Sequence, residues 1–353
     1  MNRKSHLFLM FAGLILLVQA CNLPGSSQPA ETPIPPIEAP TSEAPPSEIP
    51  AAQHQIIPVS APEASPYPDV VSTDTAPEKR APYGDTYDLN RLERPFTQDM
   101  TYIPDLDIAS FSISEDGDWY YVSIGLVGKN PNNSPGINFA VELDTNLDSF
   151  GDFLILAEPP YSEEWTADNI KVYADTDRDT AGTSAAKSDA PFSGNGYDKL
   201  IHDFTAGVGD DPDLVWVHTN AGQDATVQFA FKKSWAGSTF LFGVLADAGL
   251  KDVSRLDYVD RFTEEEAGSP VRSNTYYPLQ ALFAVDNTCF QAVGFKPTSF
   301  EPKICPVIVQ PQIVEPPVQP GITPGQPPPP PPTCPNTCQY GQDPYPRCVC
   351  WPG

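Results

Sequence analysis

Proline cannot donate to a β ladder or sit comfortably inside a helix, so its placement limits where regular structure can form. In this 353-residue chain it is placed very unevenly. Residues 22–82 hold 15 prolines and residues 306–353 hold 16, whereas residues 83–305 hold 12. Only the central stretch is left with ordinary freedom to build sheets or helices. At about 220 residues it is long enough for one substantial core, and its length suits a single all-β domain. It carries 36 Asp and Glu against 15 Lys and Arg, most of the chain's net charge of −26. A surface this acidic repels phosphate backbones, so no nucleic acid is expected among its partners.

The start of the chain is read as an export signal. Arg3 and Lys4 precede an apolar run from Leu7 to Val18, too short to span a membrane comfortably. The following Val18-Gln19-Ala20-Cys21 resembles a bacterial lipobox, although Gln19 stands where a small residue is usual. The resemblance implies cleavage after residue 20, a lipid on Cys21, and a membrane partner reached through that anchor. The expected location is the bacterial cell envelope, facing outward. Residues 21–82 then read as a disordered linker of Pro, Glu, Ser and Ala, which cannot bury enough apolar surface to offset its ordering entropy. In a polyproline conformation it would extend about 3.1 Å per residue. Residues 306–333, with six consecutive prolines from Pro327 to Pro332, read as a second spacer rather than a docking ligand.

Seven cysteines are present, and setting aside Cys21 leaves an even six: Cys289, Cys305, Cys334, Cys338, Cys348 and Cys350. In an exported chain this points to disulfides. Cys289 and Cys305 are expected to pair at the edge of the central body. The other four form a Cys-rich tail over 334–353, spaced Cys-x3-Cys-x9-Cys-x-Cys. The single residue between Cys348 and Cys350 fits zinc poorly, so disulfides are expected there too, with the pairing open.

The body, 83–305, reads as β-structure. Phe111 and Ile113 alternate before the turn Glu115-Asp116-Gly117-Asp118, and Tyr120, Val122, Ile124 and Leu126 alternate after it, a hairpin pattern. Further strand-like runs lie at 137–143, 153–157, 170–174, 214–219, 226–231, 239–246 and 279–285. The best helical stretch is only 262–267. About nine short strands separated by turn residues predict an antiparallel β-sandwich flanked by disordered proline-rich arms.

The order of these motifs carries a resemblance. Asp116-Gly-Asp-Trp-Tyr-Tyr-Val-Ser-Ile124, a strand ending in acids, and Val227-Gln-Phe-Ala-Phe-Lys-Lys-Ser-Trp-Ala-Gly237 with its Ser234, Trp235 and Gly237 corner resemble the DOMON-like sandwich. Family-nine carbohydrate-binding modules belong to that group. The resemblance spans roughly residues 100–250 and implies a binding domain for sugars or, in some relatives, haem. It carries over no ligand-contacting residue.

Two loops repeat an acidic pattern. Asp144, Asn146 and Asp148 are followed by Phe150, Gly151 and Asp152; Asp175, Asp177 and Asp179 are followed by Gly182 and Thr183. Oxygens at positions one, three and five can converge on a hard cation, and calcium takes six to eight, some from backbone carbonyls and water. The pattern resembles the loops of thrombospondin type-3 repeats and dockerins, with Ser149 replacing a glycine and Thr183 the last acid. No glutamate stands at position twelve, where Ile155 and Ala186 lie. Weak calcium affinity suited to extracellular concentrations is expected. If 137–143, 153–157 and 170–174 form a meander, both loops fall at the same end.

Catalytic signals are thin: no Gly-x-Ser-x-Gly elbow, His-Glu-x-x-His or phosphate loop is present. Haem ligation by Met100 with His202 or His218 has only the resemblance behind it. Trp119, Tyr121, Tyr161 and Trp165 are candidates for a sugar-stacking surface, with packing against the second sheet as the alternative for the first two. The sequence therefore predicts a lipid-anchored, calcium-supported β-sandwich that binds a ligand, carbohydrate foremost, rather than an enzyme. The alternatives are a structural or adhesive surface protein and a polysaccharide hydrolase.

Overall fold

The computed structural model describes residues 54–82, 92–148, 150–180, 194–260, 282–298, 301 and 304–307. Cys21, Cys334, Cys338, Cys348, Cys350 and the 262–267 stretch lie outside the described residues. No described helix is long and apolar enough to cross a membrane.

Among the described residues thirteen strands follow in chain order: β1 (Tyr67–Pro68), β2 (Glu93–Arg94), β3 (Ile108–Glu115), β4 (Trp119–Leu126), β5 (Asn138–Asp144), β6 (Phe153–Ala157), β7 (Ile170–Ala174), β8 (Lys199–Asp203), β9 (Val215–Asn220), β10 (Thr226–Lys232), β11 (Phe240–Asp247), β12 (Val285–Asn287) and β13 (Gln291–Val293). They form two antiparallel sheets packed as a sandwich. One runs β1-β3-β4-β10-β9; the other runs β2-β12-β11-β5-β6-β7-β8, with β13 also paired to β11. Eight of the strand-like runs became strands. The last, 279–285, contributes only Val285 to short β12, and β8 was not foreseen.

Alternation explains the layers. Tyr120, Val122 and Ile124 of β4, Val227, Phe229 and Phe231 of β10, and Val215 and Val217 of β9 face the second sheet. They meet Phe139, Val141 and Leu143 of β5 and Phe240, Phe242 and Val244 of β11. Phe111 contacts Phe242 with centroids 5.8 Å apart, and Tyr120 contacts Phe240 at 5.1 Å, both edge-on across the sandwich. Every residue of β5 and β11 is buried because these strands are covered on both faces. On the outer face of the larger sheet, Ala140, Leu154, Leu156 and Leu245 lie under Tyr197, Leu250, Leu256 and Leu282.

The β3–β4 turn is closed by Asp116 Oδ1, which accepts the amides of Asp118 at 2.9 Å and Trp119 at 2.8 Å. The expected corner is a single helical turn, Lys233–Ala236, ended by Gly237 at φ 79°. Trp235 packs there on Phe153, centroids 5.0 Å apart. Cys289 and Cys305 form the expected disulfide, with Cα atoms 5.0 Å apart. Closing a loop of this size removes about 3 kcal/mol of unfolded-chain freedom.

Residues 54–82 correct the expected linker: they lie on the sandwich. Tyr67 and Pro68 pair with Phe111 and Ser110 of β3. Asp213 Oδ2 accepts the amides of Gln55 at 2.7 Å and Ile56 at 3.1 Å, and its Oδ1 lies 2.8 Å from His54 Nδ1. Backbone donors of the arm thus meet a fixed carboxylate, so docking does not need the arm to be apolar.

Candidate functional site

The acidic loops follow β5 and β7, the first and third strands of the β5-β6-β7 meander. They therefore emerge at one end of the sheet and touch. Arg178 Nη1 lies 3.4 Å from Asp148 Oδ2, and Thr180 Oγ1 donates to the Gly151 carbonyl at 3.0 Å.

Their backbones match at the fourth position. Leu147 and Arg178, each fourth in its loop, adopt left-handed φ values of 65° and 62°. Each of their amides donates to Oδ1 of the acid at position one, Asp144 at 2.6 Å and Asp175 at 2.7 Å. Neither residue is glycine, so this conformation is held by those carboxylates and by the strands on either side.

The carboxylates of both loops are engaged by the chain: Asp175 Oδ2 accepts the Thr180 amide and hydroxyl, each at 2.9 Å, and Asp179 accepts the Asn195 and Gly196 amides at 2.7 and 2.9 Å. In the first loop Asp152 Oδ2 accepts the Thr145 and Asn146 amides and the Thr145 hydroxyl, and its Oδ1 accepts from Asn146 Nδ2 at 2.8 Å. Asp148 Oδ1 accepts the Phe150 amide at 3.1 Å. Asp144 is fully buried. In the second loop one carboxylate oxygen from each of Asp175, Asp177 and Asp179 falls within a 4.8 Å group. Two oxygens on opposite sides of one calcium are about 4.6–5.2 Å apart, so this spacing fits a shared ion. Burial, then Asp179, Asp175 and Asp198, raise the Asp177 carboxyl above its usual value. A cation would relieve that repulsion.

The aromatic candidates are placed differently from the sugar-stacking expectation. Trp119 and Tyr121 are buried on the outer face of the smaller sheet with Trp216 and Ala230, and Ala61, Trp165, Phe204 and Ala167 pack around them. Tyr161 is buried too, and its hydroxyl donates to the Ile137 carbonyl at 2.7 Å while accepting the Phe139 amide at 3.2 Å. Trp165 is half-buried, edge-on to His218 at 4.2 Å. The histidines are likewise structural in placement: His202 is buried, and His218 Nε2 lies 2.6 Å from Gln228 Oε1. Burial lowers the pKa of both. Met100 is buried in a separate small cluster with Ala81 and Phe96.

Sequence reasoning missed a second acidic group. Glu93 on β2 faces Asp286 on β12 directly in the ladder, and Asp107 precedes β3. All three are buried, and one oxygen from each falls within 4.8 Å of the others. Asp107 Oδ2 accepts the Tyr102 hydroxyl at 2.5 Å and the Ser72 amide at 3.0 Å; Asp286 Oδ2 accepts the Ile108 amide at 2.7 Å. Ser72 Oγ donates to Glu93 Oε1 at 2.7 Å. Burial pushes Asp107 up to about 6 against those hydrogen bonds. Burial, then Glu93, Asp69 and Asp107, hold Asp286 well above the carboxylate range. A faint signal was available: Asp286 directly follows the apolar run Leu282-Phe-Ala-Val285.

Compared with family models, curated proteins and solved structures, the chain matches none. The DOMON-like resemblance therefore rests on motif order alone.

Proposed function

We propose that this protein is a lipid-anchored module of the bacterial cell surface, structural or adhesive in role, whose β-sandwich is braced by calcium at the paired acidic loops. The observation that carries the reading is the convergence of Asp175, Asp177 and Asp179 beside the matching loop at Asp144–Asp152. An ion there braces the turn after β7, which meets the turn after β5 through Arg178–Asp148 and Thr180–Gly151. Without a position-twelve glutamate the affinity is weak, in keeping with millimolar extracellular calcium. Calcium at ten times its dissociation constant adds about 1.4 kcal/mol of stability. The melting temperature of the chelator-treated protein should therefore rise with added calcium. The rise should shrink in D144A/D148A and in D175N/D177N. Equal rises in both variants and the parent would remove the basis of the proposal.

Carbohydrate binding is the second reading, moved from the buried rings to the outer face of the larger sheet. A cleft there is lined by Asn138, Glu158, Tyr173, Asp247 and Lys251, an aromatic ring among hydrogen-bonding groups. Glycan-array binding that falls with Tyr173→Ala but not Trp165→Ala would favour this cleft; binding lost with Trp165→Ala would favour the loop aromatics.

A further inference from the structure

We propose that Glu93, Asp107 and Asp286 form a second cation site, a buried one for a calcium-like divalent ion, fastening the edges of both sheets.

The position is unusual for three acids. Glu93 and Asp286 stand directly opposite each other on paired strands, an arrangement that repels unless something lies between. Asp107 enters from the other sheet, at the start of β3. Each of the three is within 2% of complete burial. Three carboxylates in so dry a place are costly unless paired or bound to a metal.

The unused oxygens make the independent case. Asp107 and Asp286 each place one oxygen, Oδ2, on donors from the chain. Their Oδ1 atoms are buried and meet no hydrogen-bond donor among the described residues. Buried carboxylate oxygens are ordinarily satisfied, and here two residues of one acidic group, reaching it from different sheets, each leave an oxygen without a donor. The spread of 4.8 Å is what oxygens at about 2.3–2.6 Å from one calcium can reach. All-oxygen, carboxylate-rich donors select a hard ion over a soft one. With no side chain exposed to bulk water, the ion would be taken up as the chain folds.

The site is separate from the acidic loops, and the test keeps the two apart. The loop triad is first neutralised by D175N/D177N/D179N in a chain that already carries D144A/D148A, and calcium alone is titrated calorimetrically after chelation. This loop variant should still bind one calcium per chain. Adding Asp286→Asn should abolish that binding, and adding Asp107→Asn should weaken it at least tenfold. In chelator the Asp286→Asn protein should melt no lower than its parent, because a like charge has gone; this separates lost binding from lost folding. The proposal is overturned if the loop variant binds no calcium, or if Asp286→Asn leaves its binding unchanged. It is equally overturned if a protonated-carboxyl infrared band from Asp286 persists at saturating calcium, since the acids would then be sharing protons instead.

Discussion

Asp213 shows how one side chain can decide whether a proline-rich segment folds. Burial raises its pKa, but the amides of Gln55 and Ile56 and the ring of His54 outweigh burial and hold it below its usual value. Stability from a depressed carboxylate is complete above the unfolded-state value near pH 4 and is lost as pH falls through the lower folded value. Acid below that range should release residues 54–56 ahead of the core. Asp213→Ala should cost about 2 kcal/mol at neutral pH, since it removes charge-assisted bonds to three donors. Urea unfolding of the variant checks the cost, and faster amide exchange confined to residues near 54–56 checks the location. The same residue explains a limit of sequence reading. Nothing in the composition of 54–82 marks it as docked, because its partner lies more than 150 positions away and bonds its backbone. The second acidic group left only a faint trace, Asp286 directly after the apolar run 282–285.

Among the strands, legibility follows how many bulky apolar residues a run sets toward the core. β4 and β10 were plain because Tyr120, Val122 and Ile124, and Val227, Phe229 and Phe231, keep strict alternation toward the core. β8 was missed because Lys199-Leu-Ile-His-Asp203 is a short edge strand with charged ends, half-exposed along most of its length. The acidic loops were legible as spacing, and their juxtaposition followed once the meander was assumed; the left-handed turns at Leu147 and Arg178 were not, since neither is glycine. β11 offers the sharpest packing test. A Cβ on Gly243 would fall 2.6 and 2.7 Å from ring atoms of Phe290. Gly243→Ala should therefore destabilise by about 1–3 kcal/mol through overpacking, although alanine itself suits a strand better. A thermal or urea melt reads this directly, and an unchanged midpoint would show that Phe290 moves aside freely.

At the scale of the molecule, the sandwich has a central core and aromatic cover on its smaller sheet. His54 stacks on Phe204 and approaches Trp216, each with centroids 4.4 Å apart, so the N-terminal segment roofs the face that holds Trp119 and Tyr121. Removing residues up to Ala61 should raise binding of a hydrophobic dye and lower the melting temperature, with the two-sheet core still folding cooperatively. Part of the acidic character of the chain, which first argued against nucleic acid, lies in two close groups, Asp175, Asp177 and Asp179 and Glu93, Asp107 and Asp286. The most direct measurement of the calcium account is an anomalous difference map from calcium-soaked crystals of the protein. It predicts a peak among Asp175, Asp177 and Asp179 beside the Asp144–Asp152 loop. A map with no peak at that end of the sheet, at calcium concentrations that occupy weak extracellular sites, would contradict it.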